Sequence, residues 1–157
     1  MQYLMPSINK TLQLKLKRLV SFLLQVEKEF DGIADEIDND NLKNAIQALA
    51  VESCQYAKEI SNELQHFNIS LSADYTDQIW KETENSQTDD QRGVSKGSEV
   101  ASIFKNCEFK FNKLYQEALG EFIPDKNLKD IMTYQLHATQ SAFKKIMLLN
   151  RIRLDHQ

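Results

Sequence analysis

Apolar residues recur every three or four positions over the first quarter of the chain. The steps of four, three, four and three continue without a break through Leu12, Leu16, Leu19, Leu23, Val26, Phe30, Ile33 and Ile37. A heptad-type seam of this length is typical of a long helix that packs nearly parallel to a neighbouring helix. The pattern predicts a first helix over about residues 9–37, which ends at the turn-forming segment DNDN at 38–41.

Three more segments show the same helical spacing. They predict helices over about 42–67, 99–122 and 126–153, with Ser98 as the N-cap of the third and Asp125 just before the fourth. The predicted inner residues are Leu42, Ile46, Leu49, Tyr56, Ile60, Leu64 and Phe67, then Val100, Phe104, Cys107, Phe111, Leu114, Ala118 and Phe122, and then Leu128, Ile131, Gln135, Ala138, Ala142, Ile146, Leu149 and Ile152.

The connections between these helices are short, long and short. The long one, about 68–98, contains the breakers NISLS, ENSQTDDQRG and SKGS and a short helix ADYTDQIWKE with the only tryptophan, Trp80. A connection of this length is expected to cross the full length of a bundle, with Trp80 packed against its side. The sequence therefore predicts one all-α domain over 1–157, a four-helix bundle of two antiparallel hairpins joined by a crossover.

Composition and charge agree with this fold. The chain has 157 residues, 41% hydrophobic and 27% charged, as in one soluble globular domain, and only 4 Gly and 2 Pro. Few turn residues favour long helices. The net charge of −4 argues against a nucleic-acid or anionic-membrane partner. A basic cluster, Lys10, Lys15, Lys17 and Arg18, is interpreted as a solvated helix face.

The two cysteines and the N-terminus bear on the compartment. Cys54 and Cys107 lie in helical patterns without the spacing of a zinc site, and we interpret them as reduced, buried thiols. The first ten residues lack the pattern of a signal peptide, and no window is long and apolar enough for a membrane helix. We therefore expect a cytoplasmic protein that does not bind membranes.

Three glutamates fall on mainly apolar helix faces, near the middle of the first three helices. Glu27 lies on the first helix, Glu52 on the second and Glu108 on the third; Glu52 interrupts the line Ala45, Leu49, Tyr56. Carboxylates that converge from several helices are the layout of a dinuclear metal site in a bundle. Because a metal ion neutralises buried carboxylates, iron or manganese at Glu27, Glu52 and Glu108 is one hypothesis.

The other ligands of such a site are missing from the pattern. These sites use Glu-x-x-His on two helices, but here Gln55 stands three residues after Glu52, and the fourth helix contains no glutamate. The alternative hypothesis, which we prefer, is that no cofactor is bound. The three glutamates would then be half-exposed at the seams of the bundle, or hydrogen-bond with Tyr56, Tyr115, Gln55 and Gln135 in a polar layer. For Glu52 we expect an interior position, with Gln135, Tyr115 and Gln55 as its partners.

A family resemblance covers about residues 11–153. The segments DNDNLKNAIQALAVESCQYAKEI and NCEFKFNKLYQEAL, with Trp80 between them, resemble a bacterial family of four-helix-bundle proteins of the ferritin-like superfamily, classed as a domain of unknown function. The likeness depends on Leu42, Glu52, Glu59, Trp80, Cys107, Glu108 and Gln135. It implies a ferritin-like fold. Where members of that family often have a histidine on the fourth helix, this chain has Phe143.

Three hypotheses about function follow. The first is a non-enzymatic structural or interaction protein that acts through self-association, as a dimer, or through a protein partner; by analogy of fold it would serve in a stress response. The second is a metal-binding or oxidoreductase bundle that uses Glu27, Glu52 and Glu108. A third hypothesis, lipid or nucleic-acid binding by the first helix, depends only on its basic cluster.

Overall fold

Four helices make up the computed structural model, which describes residues 7–69 and 96–155. They are α1 (Lys10–Asp35), α2 (Asp40–Gln65), α3 (Lys96–Leu119) and α4 (Lys126–Asp155). Within the described residues there is no strand, and the prediction of an all-α bundle of four long helices is confirmed.

Asparagine and aspartate side chains start three of the helices. Asn9 Oδ1 accepts a hydrogen bond from the Leu12 amide at 2.8 Å, and Asn39 Oδ1 accepts one from the Leu42 amide at 2.9 Å. Asp125 does the same for the Asn127 amide at 3.1 Å. Such caps satisfy amides that have no partner inside the helix. The predicted N-cap of the third helix was wrong, because Ser98 lies inside α3.

Each helix packs against two antiparallel neighbours. α1 and α4 both contact α2 and α3. The directions of α1 and α3 are opposite, because Phe22 meets Phe111 while Phe30 meets Phe104. α2 therefore ends, and α3 begins, at opposite ends of the bundle. The connection between them joins these two ends, but 70–95, including Trp80 and the predicted short helix, lie outside the described residues.

The core confirms most of the predicted seams and corrects two of them. The seam of α1 is buried from Leu12 to Phe30. Phe122, predicted to be internal, follows the end of α3 and is 77% exposed. The buried face of α4 is rotated from the predicted line; the residues it buries are Leu128, Met132, Gln135, Leu136, Thr139, Phe143, Ile146 and Asn150. Ile152, on the predicted line, is exposed.

Phenylalanine rings fill the bundle interior over about two helical turns. Phe143 of α4 contacts Phe111 of α3 edge to face, with ring centroids 5.1 Å apart, and lies 6.3 Å from Phe30 of α1. Phe104 and Phe22 extend the cluster through the same kind of contact. Edge-to-face pairs of this kind stabilise by about 0.5–1.5 kcal/mol beyond their buried area. They fix α1, α3 and α4 around an apolar centre.

Candidate functional site

The three predicted carboxylates are not held together in the bundle centre. Glu52 is exposed, so the prediction that it points to the interior was wrong. Glu27 is half-buried on the side of α1 that meets α2, where its hydrogen bond with Cys54 raises the pKa of that thiol. Glu108 is half-buried on α3.

A buried serine explains the error at Glu52. The inner face of α2 passes through Leu49, Ser53 and Tyr56, and Ser53 is fully buried. Its hydroxyl donates to the Leu49 carbonyl oxygen at 2.8 Å, which satisfies the polar group inside the helix. Glu52, one residue earlier, is rotated by ~100° from Ser53 and so lies on the flank of the helix.

A hydrogen-bonded polar layer does cross the interior. The Tyr115 hydroxyl of α3 donates to Gln135 Oε1 of α4 at 2.9 Å, and both side chains are fully buried. Gln135 Nε2 donates to Glu59 Oε1 of α2 at 3.0 Å and to the Tyr56 carbonyl oxygen at 3.3 Å. One glutamine amide therefore links three helices, and both ends of that amide have protein partners.

Sequence reasoning found two members of this layer and missed the third. Tyr115 and Gln135 were expected as partners of a buried glutamate on α2, but the carboxylate that bonds Gln135 is Glu59. Glu59 follows Glu52 by seven residues, which is about two helical turns, so both lie on the same flank of α2. The seven-residue spacing of Glu52 and Glu59 was the available sequence signal, because it marks both glutamates as candidates. Which of the two bonds Gln135 depends on the position of Gln135 along α4. Gln55, the other expected partner, is exposed.

The tyrosines of this region have raised pKa values. Burial is the main cause for Tyr115, and nearby Tyr56 and Glu59 add to the effect. Burial, followed by the negative charge of Glu52, raises the pKa of Tyr56 to about 12. Both phenols therefore stay protonated well above physiological pH, so the Tyr115 hydroxyl can donate its hydrogen bond to Gln135.

A second acidic group lies where α2 ends and α4 begins. Burial and a hydrogen bond with Asp125 raise the pKa of Glu63, while His66 acts in the opposite direction. His66 Nδ1 lies 3.6 Å from Glu63 Oε2. The pair of carboxyl groups places negative charge at this end of the contact between α2 and α4.

The residues do not fit a dinuclear metal centre at the predicted position. Glu52 faces outward, and Phe143, where the family resemblance would have placed a histidine, lies among phenyl rings without a donor atom. At the next polar layer, Gln135 and Tyr115 bond to each other. Over 7–69 and 96–155, no three histidine, cysteine, aspartate or glutamate side chains are arranged to hold a metal ion.

The outer side of the contact between α2 and α4 is a further candidate, which we call the α2–α4 face. Two lines with alternating steps of four and three residues make up this face, and most of their members are exposed. The residues are Asn41, Ala45, Ala48, Glu52, Gln55 and Glu59 on α2, and Tyr134, Ala138, Ser141, Lys145, Leu148 and Ile152 on α4. Three large apolar side chains reach solvent there: Tyr134 is 67% exposed, Leu148 56% and Ile152 44%.

Comparisons with known proteins do not assign this chain to a family. The chain matches no family model, no curated protein and no solved structure. Among the residues that the structure describes, no helix is both long enough and apolar enough to cross a membrane.

Proposed function

We propose that this protein is a ferritin-like bundle that acts as a non-enzymatic interaction module and binds protein through its α2–α4 face. The ferritin-like assignment is supported by the helix directions, because bundles of that superfamily have one long connection between opposite ends. The family resemblance of the sequence supports the same assignment.

The observation that favours binding is the line of exposed apolar side chains on α4. Tyr134, Leu148 and Ile152 lie on one line over 18 residues, which is ~27 Å of helix. Aromatic and aliphatic side chains collected on one surface, next to polar ones, are typical of protein-binding sites. Ala138 and Ser141, between them, are small enough to let a partner approach the helix closely.

The buried polar layer fits a structural role rather than a binding role. Gln135 uses its amide oxygen for Tyr115 and its amide nitrogen for Glu59, so these groups already have protein partners. A fully connected buried network rigidifies a fold and fixes the relative positions of its helices. We therefore assign this layer a structural role, and the α2–α4 face the binding role.

The test is site-specific photo-cross-linking in cells of the source organism. A photoreactive phenylalanine analogue replaces Tyr134 in one variant and Phe109 of α3 in the matched control, because both side chains are 67% exposed. We expect one defined adduct from position 134, absent from position 109 and lost when Leu148→Ser is added. Its mass identifies the partner. No adduct at position 134, or equal adducts at both positions, would contradict the proposal.

A further inference from the structure

Tyr56 brings a polar group from inside the bundle to the α2–α4 face. The residue is 7% exposed, and among the described residues its hydroxyl has no hydrogen bond, since only its carbonyl oxygen accepts one, from Gln135. The hydroxyl oxygen is still accessible, because the one enclosed side-chain atom without a partner in the described part of the chain is Arg153 Nε. This accessible hydroxyl at the end of a buried ring is therefore available to a ligand.

Three residues of the α2–α4 face lie close to this hydroxyl. After burial, the charge of Glu52, then Tyr134 and then Glu59 contribute to the raised pKa of Tyr56. Glu52 and Tyr134 are exposed, and Glu59 is half-buried. One end of the face therefore collects two carboxylates and two phenols, and we call these four residues the tyrosine–glutamate cluster.

The two carboxylates of the cluster have no cation beside them. No ion pair within 7–69 and 96–155 includes Glu52 or Glu59. Lys145, the one basic residue in the two lines of the face, forms no ion pair with either of them. Glu63, four residues after Glu59, continues the acidic side of α2 towards its end. An acidic surface without its own cations is complementary to a basic partner.

Glu59 belongs both to the buried polar layer and to this face. Its Oε1 accepts the hydrogen bond of Gln135 Nε2 at 3.0 Å, which leaves Oε2 for a ligand. Because the buried amide already fixes this carboxylate, Glu59 loses less side-chain freedom on binding than an unrestrained surface glutamate does. Glu52 lies ~10.5 Å away along α2, so both side chains can reach one group placed between them.

An arginine side chain matches all the groups of the cluster. Its planar guanidinium has five N–H donors, which can bond two carboxylates and the Tyr56 hydroxyl oxygen, and its flat face can stack on the ring of Tyr134. A lysine ammonium has the same charge, but it is a compact group that cannot stack in this way. The cluster therefore selects arginine over lysine.

We infer that the protein bound by the α2–α4 face presents a basic segment whose arginine side chain lies between Glu52 and Glu59, against the ring of Tyr134. Apolar side chains of the same segment cover Leu148 and Ile152 further along α4. This inference rests on the proposed function and names the chemistry of its partner.

Charge variants of the full chain, combined with the photo-cross-link at position 134 in cells, test this chemistry. Glu52→Lys reverses a charge of the cluster, and Asp31→Lys on α1 is the matched control, because Asp31 is also exposed and the change in net charge is the same. We expect Glu52→Lys to lower the adduct yield roughly tenfold and Asp31→Lys to change it less than about twofold. Circular dichroism melts check that both variants fold.

Glu59→Gln is a second variant that keeps the buried layer. The new amide oxygen can still accept the hydrogen bond of Gln135, while the negative charge is removed. We expect the adduct yield to fall roughly threefold.

Peptide mapping of the adduct then identifies the segment that meets position 134. We expect an arginine within about four residues of the cross-linked site, which is one helical turn. Replacing that arginine with glutamate should abolish the adduct of the chain with Glu52 and restore it with Glu52→Lys, because the pair is then reversed in sign.

The outcomes separate this inference from the proposed function. Equal adduct yields from Glu52→Lys and Asp31→Lys, or a mapped segment without arginine, would overturn the inference and leave the proposed function standing. This holds equally if the mapped segment belongs to a second copy of the chain. Absence of any adduct at position 134 would contradict both.

Discussion

The Tyr115 hydroxyl and the Gln135 side-chain oxygen are 2.9 Å apart, and neither side chain reaches solvent. This contact joins α3 to α4 inside a mainly apolar bundle, and the amide nitrogen of Gln135 extends it to Glu59 on α2. A mismatch in height between these helices would leave buried polar groups without partners. The layer therefore specifies the register of three helices.

Gln135→Leu tests that role. The change leaves the Tyr115 hydroxyl buried without an acceptor, so we expect it to lower the free energy of unfolding by about 1–3 kcal/mol in urea titrations. Gln140→Leu is the matched control, because Gln140 makes a half-buried bond to Asn112 at 3.2 Å. We expect the control to cost about 0.5 kcal/mol or less. Equal costs would show that the layer has no special role.

Glu59 and Glu52 form a matched pair, because they lie on one line of α2 and only Glu59 bonds Gln135. We expect Glu59→Leu to cost about 1 kcal/mol, and Glu52→Leu to change stability by about 0.5 kcal/mol or less. Thermal and urea unfolding measure both. A larger loss for Glu52→Leu would mean that Glu52, as the helical pattern predicted, is the interior carboxylate.

Alkaline pH should destabilise the fold through Tyr56. Its pKa is raised to about 12 in the folded state, from the ordinary tyrosine value of about 10 in the unfolded chain. Between these values the unfolded chain loses the phenolic proton and the folded chain keeps it, so the free energy of unfolding falls as pH rises. We expect Tyr56→Phe to flatten this decline between pH 10 and 12, in urea titrations at several pH values. An unchanged slope would contradict the raised pKa.

Phe143→His introduces the histidine that the family resemblance implies. The imidazole would lie among phenyl rings, so we expect a loss of about 2–4 kcal/mol, more than for Phe143→Leu. We also expect manganese(II) or iron(II) to leave the melting temperature of both variants and of the wild type unchanged. A rise with metal in Phe143→His that Glu108→Gln abolishes would restore the metal hypothesis.

Helix number, the turn between α1 and α2 and the seam of α1 could be predicted because they depend on local spacing. A stripe of leucines every three or four residues can be buried on only one face, and Asn39 follows from the preference of asparagine for helix caps. The burial of Ser53 could not be predicted in this way, because its partner is the carbonyl of Leu49, which every helix offers.

The polar layer was only half predictable for a related reason. Tyr115 and Gln135 could be identified as polar residues on mainly apolar helix faces. The choice between Glu52 and Glu59 as the partner of Gln135 depends on how far α4 is shifted along α2. That shift results from packing between the helices, which the spacing within one helix does not contain. The same limit explains why the predicted inner line of α4 wrongly included Ile152.

Photo-cross-linking from position 134 in cells tests most directly the claim that the α2–α4 face is the surface that binds protein. The adduct from position 134 is compared in the chain with Leu148, in Leu148→Ser and in Phe109→Ser, which removes an exposed apolar side chain from α3. The account predicts that Leu148→Ser abolishes the adduct and that Phe109→Ser leaves it unchanged. No adduct at position 134, or an adduct that Leu148→Ser leaves intact, would contradict it.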